Sequence, residues 1–434
     1  MMTSGIKLML VAFSIIMTSS EGRLQSISSF LQNEFLNLFF PKDSGLVRVR
    51  RMDPAEKINS GKILDFIGLV EQYNYPAEEH SVTTEDGYNL KIHRIPGSPL
   101  LLNSKKKKEI VFVQHGLLCL SDSWVLYGPG KDLAFLLADQ GYDVWIGNMR
   151  GNSYCRSHVN MTTYDPKFWQ YSFHEIGTKD LPAMFDYILN YTKQKDLYYI
   201  GHSMGNAALL ILLSSKPEYN IKIKCAICLA PTSFWLKASP AVNEFANILP
   251  TFKEVLRKRE IYDVFPQSLA TVTVGRMLCN DNIMTQFICA TILFIIAGPD
   301  SAQLNTTTLP DIFSYFPAGS SVQTLEHFYQ NIRIKDFQNY DYGIAENYKR
   351  YKQETPPSYD LKKITAPIIL FYSGNDVIVL EENVLELGKR LPNVLLTEEV
   401  SYKLFNHLDF LWAINAKTLL YDRVLELLQK FDAG

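Results

Sequence analysis

Leu197-Tyr-Tyr-Ile-Gly-His-Ser-Met-Gly-Asn-Ala-Ala-Leu-Leu-Ile-Leu-Leu213 is the stretch whose reading decides the fold. Leu197 to Ile200 is an apolar run with aromatic and β-branched members, the composition of a buried strand. Asn206 to Leu213 is rich in Ala and Leu, as a packed helix is. Between them lies Gly201-His202-Ser203-Met204-Gly205, a G-x-S-x-G pentapeptide. A serine at so sharp a strand-to-helix turn is held in strained backbone geometry, its hydroxyl pushed out above the sheet edge. The flanking glycines carry no Cβ, so strand and helix can close on each other. The helix N-terminus behind Ser203 offers unpaired N–H groups to a developing oxyanion. The competing reading is a tight glycine-flanked turn with an exposed serine; the strand before and the helix after weigh against it.

Upstream, Glu109 to His115 reads as a central strand that runs into Gly116-Leu117-Leu118. A loop in this place supplies a second backbone N–H to an oxyanion. Asp132 to Gln140 reads as a helix, Tyr142 to Gly147 as a strand, and Asn148 to Tyr154 as a polar, glycine-bearing loop. Asp180 to Tyr191 is an amphipathic helix leading into the strand before Ser203. Strands alternating with helices imply a parallel sheet with crossover connections. Nearer the N-terminus, Asn59 to Tyr73 has helical spacing, and His80 to Thr84 and Tyr88 to Ile95 flank the hairpin signal Glu85-Asp86-Gly87.

Downstream the rhythm changes from Thr232 to about Gln338. Phe234 to Leu249, Leu269 to Ala297 and Ser321 to Ile332 have helical spacing, and no strand is expected among them. This predicts a helical insertion over the active edge of the sheet. Ile288 to Ala297 is apolar but too short to span a bilayer, and is read as a buried helix. Strand rhythm returns at Ala366 to Tyr372 and at Val394 to Val400, and a last helix is expected from Ala413 to Phe431.

A serine hydroxyl is a poor nucleophile unless a base takes its proton and an acid orients the base. The acid belongs after a late strand, and the chain order is Ser, then Asp or Glu, then His. Asp376, in Ser373-Gly-Asn-Asp376, follows the strand ending at Tyr372, and His407 follows the next one. Of the other histidines, His80 and His93 precede the catalytic edge. His115 and His202 adjoin the loop and the elbow and read as structural, and His158, His174 and His327 lie upstream of Asp376. Asp409 rivals Asp376, but it is so close to His407 that a capping role fits it better.

At 434 residues, 47% apolar and 20% charged, the chain has an ordinary globular composition. A net charge of −2 gives no reason to expect nucleic acid or an anionic membrane as partner. Lys7 precedes the apolar run Leu8 to Met17, and Thr18-Ser19-Ser20 follows, which is the pattern of a secretory signal rather than a transmembrane anchor. Asn160, Asn190 and Asn305 head glycosylation sequons and agree with that route. Arg48-Val-Arg-Arg51 reads either as the end of a propeptide or as a solvated basic turn. Among six cysteines, Cys279 and Cys289 are near enough in sequence to close a small loop. Cys225 and Cys228 sit three apart in an apolar run; on a strand they face opposite ways, so buried thiols fit better than a shared metal.

Thr84-Glu-Asp-Gly-Tyr88, His93-Arg-Ile-Pro96, Gln114-His-Gly-Leu-Leu118, Asn148-Met-Arg-Gly-Asn152, Gly201-His-Ser-Met-Gly205, Pro317-Ala-Gly-Ser-Ser-Val322 and Asn406-His-Leu-Asp-Phe410 occur in this order. In these motifs the chain resembles the acid lipase family of α/β-hydrolases from about Met52 to its end. The resemblance implies an α/β-hydrolase fold, a triad of Ser203, Asp376 and His407, and oxyanion donors in the N–H groups of Leu117 and Met204. It implies a disulfide between Cys279 and Cys289 and a cap and lid in the helical insertion. It also implies neutral lipid esters as substrates, met at a transient lipid–water interface, with no metal or organic cofactor. Two other activities are open at this level: hydrolysis of smaller soluble esters, or lipid binding without turnover. The expected organisation is a signal peptide over 1–22 and an N-terminal extension over 23–51. The hydrolase core then occupies 52–231 and 339–434, with the cap and lid over 232–338, in a secreted or lysosomal protein. Met204 stands where the family commonly has Gln, Val377-Ile-Val-Leu380 lacks a second acid usual nearby, and the segment before Met52 is longer than the family needs.

Overall fold

The computed structural model describes residues 40, 44–52, 61–101, 107–281 and 285–433. The signal segment and the helical pattern of 24–37 lie outside them. Among the described residues nine strands form the main sheet. In chain order these are β1 (Glu78–Thr83), β2 (Tyr88–Ile95), β3 (Ile110–Gln114), β4 (Asp143–Gly147), β5 (Ser157–His158), β6 (Leu197–His202), β7 (Ile223–Leu229), β8 (Ile368–Tyr372) and β9 (Val394–Glu399). Their spatial order is β9-β8-β7-β6-β3-β4-β2-β1, with β5 beside β2. Every pair from β9 to β4 is parallel; β2 meets β4, β1 and β5 antiparallel.

The parallel strands β3, β4, β6 and β8 are buried along their whole length, as strands covered on both faces must be. Alternate residues feed two cores. Leu197 and Tyr199 join the helices Leu181–Thr192 and Met204–Ser215 on one face. Tyr198 and Ile200 join the helices Leu133–Asp139 and Asp422–Ala433 on the other. Cys225 and Cys228 are buried free thiols that divide between the same two cores.

The chain between β7 and β8 is mainly helical, with Pro240–Lys258, Leu269–Cys279, Gln286–Ala297, Leu309–Tyr315, Val322–Ile334 and Ile344–Tyr351. Leu249, Phe252 and Leu256 of the first of these share an apolar cluster with Leu117 and Leu118 of the turn after β3. Phe234, Trp235 and Phe328 extend the core that holds Met204. The helices therefore sit over the carboxyl ends of the central strands.

Several local expectations are overturned. Asp263–Val264 and Ser320–Ser321 pair as a short antiparallel ladder where no strand was expected. The first helix of the excursion begins only after Ser239, whose side chain accepts from Val242 N, with Pro240 at its start. In place of one helix over 59–73, Lys62–Leu64 is a strand beside Val47–Val49, and Asp65 caps the helix Phe66–Glu71. The last helix is interrupted at Ala413–Ala416 and resumes at Lys417. Helix Gln286–Ala297 is not buried: Cys289, Leu293 and Ala297 face inward, whereas Phe287 is 76% exposed, with Ile288 and Ile296 also exposed. An all-round apolar composition predicts burial, but only one stripe of this helix finds partners.

Two arginines lie inside the protein. Arg48, in the basic run, is not solvated. It donates to Asp122 (2.7 Å), the Tyr154 hydroxyl (2.8 Å) and Gln267 Oε1 (2.6 Å). Arg150, after β4, donates to Asp180 (2.8 Å) and to both Asp86 oxygens (2.8 and 3.0 Å), and lies 3.9 Å over the Tyr88 ring. Burial pushes the Asp180 carboxyl up to about 6 even so. Replacing Arg150 with Met strands that carboxylate. The expected loss of stability is about 3–5 kcal/mol, read as a lower urea midpoint at neutral pH.

Candidate active site

Ser203 closes β6 and opens the helix Met204–Ser215, with φ 52° and ψ −119°. A positive φ at a residue with a side chain costs energy of order 1–3 kcal/mol, so its surroundings must hold it there. They do so from several directions. Ser203 N donates to Leu229 O of β7 (3.0 Å), Asn206 Nδ2 to Leu229 O (2.9 Å), and the Tyr199 hydroxyl to Gly205 O (2.6 Å). A Cβ on Gly205 would lie 2.8 Å from Gln114 O and 2.9 Å from His115 O. Strand β3 can approach the elbow only because that atom is missing.

His407 bridges the other two predicted members. Its Nε2 lies 2.9 Å from Ser203 Oγ and its Nδ1 2.7 Å from Asp376 Oδ2. All three side chains are buried. Asp376 Oδ1 accepts from the backbone N–H groups of Ile378 and Val379, both at 2.8 Å, which fixes which oxygen faces the imidazole. A chain of bonds of this kind can draw the hydroxyl proton away as the oxygen attacks a carbonyl carbon. Asp409 does not touch His407; it accepts from Asn406 N (2.7 Å), while its own N–H donates to Asn406 Oδ1 (3.1 Å). That reciprocal pair is a cap on the turn carrying His407.

Met204 is the first residue of its helix, so its N–H has no acceptor within the helix. Leu117 lies in the turn after β3, which runs close against the elbow: a Cβ on Gly116 would stand 2.9 Å from Ser203 Cβ. Leu118, at φ 61°, is pinned by Ala318 N donating to its carbonyl at 2.7 Å.

His115 and His202 support this arrangement. His115 Nδ1 donates to Gly116 O (2.8 Å) and its Nε2 accepts from Met149 N (3.2 Å). Burial lowers it to about 4. His202 Nε2 donates to His407 O (3.0 Å), and burial likewise keeps this ring neutral. Sequence reasoning gave no task to Asn148 or Asn152. Asn148 Oδ1 accepts from Ser121 N (3.0 Å) and from Asn152 Nδ2 (2.9 Å), tying the loop after β4 to the turn after β3. The only signal was a run of asparagine and glycine at a strand end.

Cys279 and Cys289 form a disulfide, with Cα atoms 5.4 Å apart. Asn160 and Asn190 are exposed and Asn305 is half-buried. A cavity of about 590 Å³, lined in part by Trp235, Ser239, Ile332, Val377 and Leu380, reaches Asp376 from the side away from Ser203. Among the described residues no group of His, Cys, Asp and Glu is arranged to hold a metal ion.

Two family models match the chain: a partial alpha/beta-hydrolase lipase region over residues 66–128, and the alpha/beta hydrolase fold over 109–413. Lipase 3 of Drosophila melanogaster is 38% identical over 84% of this chain and 92% of its own. Gastric triacylglycerol lipase of Homo sapiens is 35% identical over 83% of this chain and 90% of its own. Lysosomal acid lipase/cholesteryl ester hydrolase of Macaca fascicularis is 32% identical over 88% and 94%. A crystal structure from Sulfolobus solfataricus superposes with a TM-score of 0.54 at 15% identity, covering 82% of this chain and 94% of that one, a likeness of fold alone. The chain belongs to the lipase family of the α/β-hydrolases.

Proposed function

We propose that the protein is a secretory-pathway lipase, secreted or lysosomal, that hydrolyses neutral lipid esters such as triacylglycerols and sterol esters through an acyl-enzyme on Ser203. The observation that carries the proposal is the unbroken line Ser203–His407–Asp376, buried beneath helices whose inner residues are apolar. In this reading His407 takes the proton of Ser203 as Oγ attacks the ester carbonyl. Asp376 holds the imidazole with its proton on Nδ1 and stabilises the imidazolium that forms. The N–H groups of Leu117 and Met204 receive the oxyanion, and His407 then gives its proton to the departing alcohol. Water repeats the sequence to release the acid. The helices between β7 and β8 act as cap and lid, and the outward face of Gln286–Ala297, with Phe287 and Ile288, meets the lipid surface.

Chain-length dependence tests the substrate class. Each buried methylene is worth about 0.8 kcal/mol, so lengthening the acyl chain by two or three carbons is expected to raise kcat/KM by about tenfold or more. Emulsified triacylglycerol should be cleaved faster than dissolved short esters. Turnover confined to short soluble esters would leave an esterase, and bound lipid with no turnover would leave a carrier.

A further inference from the structure

We infer that Asp300 and Asp409 share one proton, and that this carboxyl pair seats the backbone of His407 against Ser203. The inference rests on the reading of Ser203, His407 and Asp376 as catalytic, and it makes Asp300 and Asp409 positioning residues.

The outward-facing helix Gln286–Ala297 ends in a strap, Gly298-Pro299-Asp300, that passes beneath both loops of the site. Ala297 O accepts from His407 N (3.2 Å), Gly298 O from Asn406 Nδ2 (2.9 Å) and Pro299 O from Asn375 Nδ2 (3.0 Å). Asp300 is 1% exposed. Its Oδ1 accepts from Ala302 N (3.1 Å), Gln303 N (3.3 Å) and the Tyr402 hydroxyl (3.2 Å). Its Oδ2 is buried with no N–H or hydroxyl donor among the described residues. The group that meets it is the Asp409 carboxyl, itself buried, which interacts with Asp300 as a hydrogen-bond partner. Two carboxyl groups in contact away from water cannot both ionise, so one carries a proton that bridges them.

The surroundings offer no cation to replace that proton. Asp409 faces Asp300 on the strap, Asp376 on the loop after β8 and Tyr127 on the loop after β3; Asp300 also faces Tyr402. His407, two residues away, is engaged with Asp376 and Ser203. Neither carboxyl is ion-paired to a lysine or arginine among the described residues. Burial, reinforced by the charges of Asp300 and Asp376, pushes Asp409 well above the ordinary carboxylate range. The sign follows: a carboxyl raised in the folded state contributes fully at acid pH, and its contribution is lost as pH rises through the raised value. Beyond it, two adjacent anions repel, the strap and the His407 turn part, and proton transfer from Ser203 loses its register.

The test is the pH profile of kcat and KM on a dissolved short-chain ester, from acid to alkaline pH. It compares the full-length protein with Asp409→Asn, Asp300→Asn and Ser203→Ala. In Asp409→Asn the amide oxygen still accepts from Asn406 N, and a permanent N–H meets Asp300 Oδ2. Asp300→Asn supplies the donor from the other side, so the test survives if one variant fails to fold. One pH unit past the midpoint, the parent is expected to have lost about tenfold in kcat, while the asparagine variants hold theirs with KM unmoved. A pair that served stability alone would move the unfolding midpoint and leave the kcat profile in place. An identical alkaline limb in parent and variants, with Ser203→Ala inactive, overturns the shared proton and leaves the triad standing. Activity retained in Ser203→Ala overturns both.

Discussion

Ser203→Ala is expected to lower ester hydrolysis by about 10⁶-fold, down to what the emptied site retains by binding alone. The magnitude follows from how little else the hydroxyl does. Its one described hydrogen bond is to His407 Nε2, at 2.9 Å, while the strained backbone at this position is held by main-chain bonds to β7 and by the missing Cβ of Gly205. Fold and lipid binding should therefore survive, so an unchanged thermal midpoint with abolished turnover is the expected pair of results. His407→Ala should cost about as much. The double variant should cost no more than either alone, because nucleophile and base act as one unit. A residual rate within tenfold of the parent would remove Ser203 from the chemistry.

Asp376→Asn is expected to lower kcat by about 10⁴-fold, through the tautomer of His407 rather than through any loss of packing. The two N–H groups of Ile378 and Val379 accept only an oxygen opposite them, so the new amide must keep its oxygen there. Its NH2 then points at His407 Nδ1, which has to accept. The imidazole proton moves to Nε2, the atom that faces Ser203 Oγ, and the base is gone. Steady-state kinetics with a dissolved ester should show the loss in kcat, with KM little changed. The same substitution at Asp409, where the partner is a carboxylate rather than an imidazole, is expected to act in the opposite sense at alkaline pH.

The central half of the fold was legible because buried parallel strands write themselves as continuous apolar runs, as in Leu197 to Ile200 and Ile368 to Leu370. The order of Ser203, Asp376 and His407 along the chain did the rest, since each follows the carboxyl end of a readable strand. What escaped depended on partners distant in sequence. Helix Gln286–Ala297 looks buried by composition, and only the packing of its one inward stripe decides otherwise. Arg48 and Arg150 carry charge, and charged side chains are read by default as solvated. Nothing local announces that Asp122, 74 residues on, or Asp180, 30 residues on, waits for them in the interior. The tasks of Asn148, Asn152 and Asp300 were hidden for the same reason: each serves a turn contributed by another part of the chain.

Arg48 has one more consequence. It lies three residues ahead of Arg51, where the basic run invites a cut, yet its guanidinium is fastened to Asp122, Tyr154 and Gln267. Val47–Val49 is hydrogen-bonded beside Lys62–Leu64, and Ser44 O holds Leu269 N at the start of a helix between β7 and β8. Severing the backbone after Arg51 removes a peptide bond but leaves the peptide where it was. Maturation at that point would yield a nicked enzyme of two pieces, the smaller still part of the wall around the site.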